Sequence, residues 1–312
     1  MIVFPERISW LYSDMTPAFF PGSCGACCST VPGVFLFGGR IAGVVTGGTE
    51  TYYPSSDTWP VISWSWGSAR ARCCCSGVPG TLWLFTGVDF SNSATRSTHS
   101  LDIASAVGTT GTNCPTPARA AASVFHDGTY SYLCGGTEGG LYDDCDRYSP
   151  DTWTSMTSMS IAQWDGAGTY ADGVGVCVGS QVYIANYTSL YDVGSDAWSV
   201  GTDMIGGTAD RYNSAACTIS DKAYFCGGGI TGFFGPYDDT SEYVPSTDTW
   251  TAKAAMPSPA RDRHGFTAVG GAGYATCGEN ASGDTDEYTP DTWTSKTSTS
   301  AIDLQAFGYA SA

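Results

Sequence analysis

The sequence predicts an all-β fold: one β-propeller domain spanning residues 1–312. Three observations carry this expectation. A unit of apolar strand, turn and second apolar strand recurs along the chain. A Trp closes a short polar segment after most of these units. No long stretch sustains the 3.6-residue hydrophobic period of a helix.

The hairpin unit reads CSTVPGVFLFGG (28–39), CSGVPGTLWLFTG (75–87), SVFHDGTYSYLCGG (123–136), CTISDKAYFCGGG (217–229) and FTAVGGAGYATCGE (266–279), with a weaker copy at 173–186. The polar segments end at Trp59, Trp153, Trp198, Trp250 and Trp293. The gaps between these Trp residues are 94, 45, 52 and 43 residues, and the first spans two units. The Trp missing from that double unit falls near Leu101-Asp102. A period of about 45–50 residues built from four short strands is that of a propeller blade. A lone blade cannot bury both faces, whereas a ring of blades can.

The order of these signatures resembles the kelch motif: a hairpin ending in a Gly pair, then a Tyr, then a Trp. The Gly pairs are Gly38-Gly39, Gly135-Gly136 and Gly227-Gly228. The Tyr–Trp pairs are Tyr148–Trp153, Tyr191–Trp198, Tyr243–Trp250 and Tyr288–Trp293. The resemblance implies a kelch-like β-propeller and covers most of the chain. Six hairpins are complete. The C-terminal QAFGYASA is similar to the first strand of a hairpin, and the N-terminal MIVFPE to the second. Seven blades are therefore expected, the ends sharing one composite blade in which Ile2 and Val3 pair beside Phe307 and Tyr309. Six blades is the alternative, if the ends only complete an existing blade.

Composition narrows the function. Charged residues are 14% of the chain, net charge is −17, and Gly numbers 40. Such a surface repels nucleic acid and anionic membrane. No apolar run reaches the roughly 18 residues of a membrane span, and no basic-then-apolar leader opens the sequence. Synthesis in a cytoplasm without a signal peptide is expected. The 13 Cys lie mostly within apolar strand-like runs and read as reduced core thiols. The clusters at Cys24–Cys28 and Cys73–Cys75 run straight into strands, which does not suit a zinc site.

Catalytic signals are sparse. The three His, at 99, 126 and 264, occupy non-equivalent positions, and no nucleophile elbow, zinc-protease or phosphate-loop motif occurs. Copper oxidases of the kelch class use His and Tyr ligands with a Tyr–Cys cofactor, a constellation that cannot be placed on this sequence. No catalytic residue, metal or cofactor is expected. Arginines do recur in phase ahead of the hairpins. Arg72, Arg119, Arg211, Arg261 and Arg263 are the candidate ligand-binding residues, for an anion or carbohydrate at the channel mouth. The alternative for them is ion pairing between blades. Acidic runs at 142–148, 237–243 and 283–288 read as solvated loops or as partners for these arginines.

The resulting expectation is a non-enzymatic structural or binding propeller. The PDTWTS phrasing at 150–155 and 290–295 resembles kelch-like repeats in phage-encoded proteins. That implies a virion component, a decoration or host-recognition protein, partnered by other structural proteins of the particle and possibly a surface glycan. The alternatives are a kelch-type carbohydrate-active enzyme (oxidase, mutarotase or lyase) and a cytosolic protein-interaction module.

Overall fold

The computed structural model describes residues 26–30, 33–37, 40–41, 44–45, 49–60, 70–89, 91, 93–138, 140–180, 186–204, 211–230, 236–278 and 283–299. Five four-stranded antiparallel blades form, each a meander of sequential strands. The first blade is Cys74–Val78, Thr81–Phe85, Thr98–Asp102 and Val107–Gly111. The second is Ser123–His126, Ser131–Cys134, Cys145–Ser149 and Thr152–Ser155. The third is Trp164–Ala171, Val174–Ser180, Asn186–Asp192 and Ala197–Val200. The fourth is Ala215–Ile219, Lys222–Cys226, Thr240–Val244 and Thr249–Lys253. The fifth is Gly265–Val269, Ala272–Thr276, Thr285–Thr289 and Thr292–Lys296.

A further sheet, here the N-terminal sheet, has three strands: Ala26–Thr30, Gly33–Phe37 and Thr49–Tyr52. Its first strand packs against the first strands of both the first and the fifth blade. The first strands of successive blades pack on one another in the same way, so they surround the centre. The fourth strands are largely exposed. The expected counts of seven or six blades are corrected: among the described residues there are five complete four-stranded blades, plus this three-stranded sheet. The proposed composite blade of the two chain ends lies outside the described residues.

Every neighbouring pair of sheets shares a small apolar core. Phe35, Phe37, Cys75, Leu82 and Leu84 join the N-terminal sheet to the first blade. Val34, Leu36, Tyr52 and Tyr274 join it to the fifth. Alternate residues along a strand face opposite neighbours, which is why both faces are apolar and why 50-residue units do not stand alone.

Hydrogen bonds repeat with the blades. Trp153, Trp198, Trp250 and Trp293 each donate an indole N–H to a backbone carbonyl just past the last strand of the preceding blade, at Thr112, Thr157, Thr202 and Ala254, over 2.8–3.0 Å. The backbone N–H of that same residue donates to an Asp two positions ahead of the Trp: Asp151, Asp196, Asp248 or Asp291. Each Asp sits at positive φ, a conformation Asp tolerates in tight turns. The Asp-x-Trp triplet is therefore a two-point clamp on one peptide of the preceding blade. Trp59 and Asp57 make the same clamp on Thr297, both at 2.9 Å, and so join the N-terminal sheet to the fifth blade. The Tyr of the motif packs on its Trp in a tilted arrangement, with ring centroids 4.7–4.9 Å apart in the second to fifth blades. Tyr191 and Tyr243 also donate to the clamp carboxylate.

The Gly pairs serve the centre. The N–H of Gly136 donates to the carbonyl of Gln163, and that of Gly228 to the carbonyl of Arg261, each on the chain entering the next blade. Gly136 lies at φ +103°, and a Cβ there would sit 2.8 Å from the carbonyl oxygen of Ala120. Both the turn and the close approach require glycine.

Nine described cysteines are free and buried. Cys75 is disulfide-bonded, which corrects the expectation of a reduced thiol at that position. Among the described residues no helix is long and apolar enough to cross a membrane.

Candidate functional site at the centre of the ring

In four blades the chain enters through a short segment that turns at positive φ two residues before the first strand; in the third blade the positive-φ residue, Asp165, lies in the bulged start of the strand Trp164–Ala171. Aligning those segments separates two registers. The earlier one holds Arg70, Arg119, Gln163, Arg211 and Arg261; two residues later come Arg72, Ala121, Asp165, Asn213 and Arg263.

The earlier register is a set of internal struts. Arg119 is fully buried and pairs with Asp146, and Arg261 likewise with Asp286. Arg211 grips Asp239 with two nitrogens, at 2.7 and 2.8 Å. Arg70 reaches Ser97, and Gln163 reaches Ser189 at 2.8 Å. Each strut runs from the entry segment to the third strand, or the turn before it, of the same blade. The expected pairing between blades is corrected to pairing within a blade for these residues. The carboxylates come from the three acidic runs. A buried guanidinium needs such a partner, because an unpaired charge in the interior costs several kcal/mol. These three arginines are thus committed to the frame.

The later register links one blade to the next. All five residues have left-handed backbones, with φ between 46° and 56°. They are joined head to tail. Ala121 N–H donates to Arg72 O, Asp165 to Ala121, Asn213 to Asp165, and Arg263 to Asn213, over 2.9–3.0 Å. This backbone arc links the entry segments of all five blades. Arg72 Nη2 lies 2.9 and 3.1 Å from the two carboxylate oxygens of Asp165, spanning the small Ala121 between them. Arg263 Nη1 lies 3.4 Å from Asp262 Oδ2. The arginine side chains retain 19% and 11% of their exposure, whereas the Asp165 side chain retains 2%. The arc is thus a semi-enclosed row of guanidinium, carboxylate, amide and guanidinium.

Of the five arginines singled out in the sequence, the structure brings Arg72 and Arg263 to this arc and assigns Arg119, Arg211 and Arg261 to struts. Sequence reasoning missed Asp165 and Asn213. The signal was available: both stand two residues after the strut position, in QWD and RYN, where other blades have RAR and RDR.

Two of the histidines have hydrogen-bonding neighbours outside the arc. His126 Nδ1 is 3.1 Å from Ser131 Oγ, and His264 Nε2 is 3.2 Å from Cys226 Sγ. Burial pulls the imidazole of His126 down to about 4 and that of His264 to about 3. Burial also pushes the Cys226 thiol well up. A neutral imidazole beside a protonated thiol is the reverse of an activated nucleophile. Among the described residues no three His, Cys, Asp or Glu side chains converge as metal ligands. The His and Tyr donor set of a kelch copper oxidase does not fit them.

Comparison with known proteins places the fold. The chain matches no family model. It is similar to galactose oxidase of Gibberella zeae, 37% identical over 86 residues, which is 27% of this chain and 12% of the oxidase. The chain thus spans a small part of that relative's length. The solved structure of YjhT superposes with a TM-score of 0.63 at 12% identity, covering 73% of this chain and 83% of that one. The non-enzymatic expectation is corrected by the first of these likenesses, since the sequence relative is by name an oxidase. Neither likeness supports a virion or phage assignment. Together with the blade geometry, they support a β-propeller fold of kelch-like blades for this chain.

Proposed function

We propose that this chain is a carbohydrate-active propeller that takes its ligand on the arc of Arg72, Asp165, Asn213 and Arg263. One observation carries the reading. In a ring of repeats, positions that serve the frame recur from blade to blade, as the Asp–Trp clamps and the struts do. The arc register has a uniform backbone and divergent side chains. Uniform backbone with diverse polar groups is how a repeat scaffold presents a site.

The row of groups suits a sugar. Guanidinium and amide N–H groups donate to hydroxyl oxygens, while the Asp165 carboxylate and the Asn213 carbonyl accept from hydroxyl hydrogens. Neighbouring hydroxyls of a pyranose need that alternation. Asp165 is the group positioned to take a hydroxyl proton, and Arg72 beside it can hold the oxyanion that results. Acid–base chemistry of this kind serves a mutarotase or a lyase directly. The likeness to galactose oxidase supports the carbohydrate class.

Ligand-observed NMR with galactose and glucuronic acid tests the reading. Saturation should transfer from the protein to at least one sugar. It should vanish in Asp165→Asn and weaken about tenfold in Arg72→Gln, the equivalent of about 1.4 kcal/mol. Exchange between anomers, followed in the same samples, reports turnover. Absence of transfer to both sugars, or transfer unchanged in both variants, would overturn the proposal.

A further inference from the structure

The second blade carries a chemical feature that the arc does not use. Cys134 and Cys145 are directly opposed on its second and third strands. The adjacent pair, Gly135 and Asp144, is linked by a backbone hydrogen bond from Gly135 N to Asp144 O. The alternation of an antiparallel ladder makes Cys134 and Cys145 a non-hydrogen-bonded pair, where opposed Cα atoms approach to about 4.5 Å. That separation falls within the range a disulfide spans. The two Sγ atoms are already 2.7 Å apart. Cys177, from the third blade, is a second hydrogen-bonding neighbour of the Cys134 thiol. All three side chains lie in the core between the second and third blades, with Phe125, Tyr132, Tyr191 and Met159 around them.

We infer that Cys134 and Cys145 form a two-electron redox site, closing to a disulfide inside the second blade when a small peroxide reaches them. One thiol attacks hydrogen peroxide and becomes a sulfenic acid, releasing one water. The other thiol attacks that sulfur, the S–S bond forms, and a second water leaves. The two thiol protons depart in the two waters, and peroxide is reduced as the sulfurs are oxidised. Burial, with the neighbouring thiols, holds the Cys134 thiol well above the ordinary range. The step is therefore slow and answers sustained rather than transient oxidant. The pair sits opposed without rearrangement of either strand, so oxidation leaves the blade in place.

The test is mass spectrometry of the full chain before and after hydrogen peroxide, with thiols alkylated under denaturing conditions and no reductant. Oxidised protein should lose two alkylation sites, and digestion should yield a peptide pair linked through Cys134 and Cys145. Dithiothreitol should restore both sites. Cys177→Ser should leave the link unchanged. Cys145→Ser should abolish it and divert Cys134 to Cys177, giving a link between blades. Retention of both thiols through peroxide treatment that oxidises exposed methionines would overturn the inference, as would a link that joins neither Cys134 nor Cys145. Circular dichroism of each variant checks that it is folded.

Discussion

Replacing Trp59 with Phe removes one hydrogen bond from the clamp that joins the N-terminal sheet to the fifth blade. The indole N–H of Trp59 donates to Thr297 O at 2.9 Å, across 238 residues of sequence. Loss of such a bond costs about 1 kcal/mol net. Trp59→Ala also removes the ring that packs 5.2 Å from Tyr52. Full truncation of a buried aromatic costs about 3–5 kcal/mol. Trp59 is half-buried, so about half that loss is expected. A change of 1 kcal/mol moves the melting temperature of a 150–250-residue domain by roughly 2–4 °C. Trp59→Phe should thus melt about 2 °C lower and Trp59→Ala about 5 °C lower by circular dichroism. Trp250→Phe breaks the equivalent bond to Thr202, at 2.8 Å, and should match Trp59→Phe. If Trp250→Phe is destabilised while Trp59→Phe melts like the parent, the N-terminal sheet is not clamped to the fifth blade and the ring is not closed there.

Stability should fall as pH drops, in two stages. His126 and His264 have folded values depressed by burial to about 4 and about 3, against about 6.5 unfolded. Below about pH 6.5 the unfolded chain gains these protons first, so stability declines from there toward the folded values. Clamp residues add a later stage. Asp57 and Asp248 are held below the carboxylate range by the backbone N–H groups of Thr297 and Thr202, and Asp196 by the Tyr191 hydroxyl. Their contribution is present above about pH 4 and lost as pH falls through the folded values. Melting temperature followed from pH 8 to 3 checks both stages, and a flat profile between 6.5 and 4.5 would contradict the first. Arg119→Met strands the buried Asp146 carboxylate and should destabilise by about 3–5 kcal/mol, whereas Arg119→Met with Asp146→Leu should recover most of it. Denaturant titration of the three proteins measures this, and a double variant as unstable as the single one would contradict the strut assignment.

The fold was legible because its signals repeat. Trp153, Trp198, Trp250 and Trp293 recur in phase, and each lands at the same clamp. The blade count was less legible. Terminal segments resemble strands by pattern alone, and pattern does not say which sheet a strand joins. The missing Trp near Leu101 hid nothing structural: Thr98–Asp102 and Val107–Gly111 form their strands without it. The arginines were legible as a set but not as two registers. Arg70 and Arg72, or Arg261 and Arg263, differ by two residues in sequence. The left-handed residue two positions after each strut turns the backbone, so the strut side chain enters its own blade while the later residue joins the arc. Asp165 and Asn213 escaped notice because they break the arginine pattern, and that break is the ground on which the arc is proposed as a site.

A crystal structure of the chain soaked with the sugar that gives the strongest saturation transfer tests directly whether the arc binds a carbohydrate. Sugar hydroxyls should lie within hydrogen-bond distance of Arg72, Asp165, Asn213 and Arg263, with the strut pairs Arg119–Asp146 and Arg261–Asp286 unchanged. A sugar bound on the outer strands or between blades, with the Arg72–Asp165 pair untouched, would contradict it.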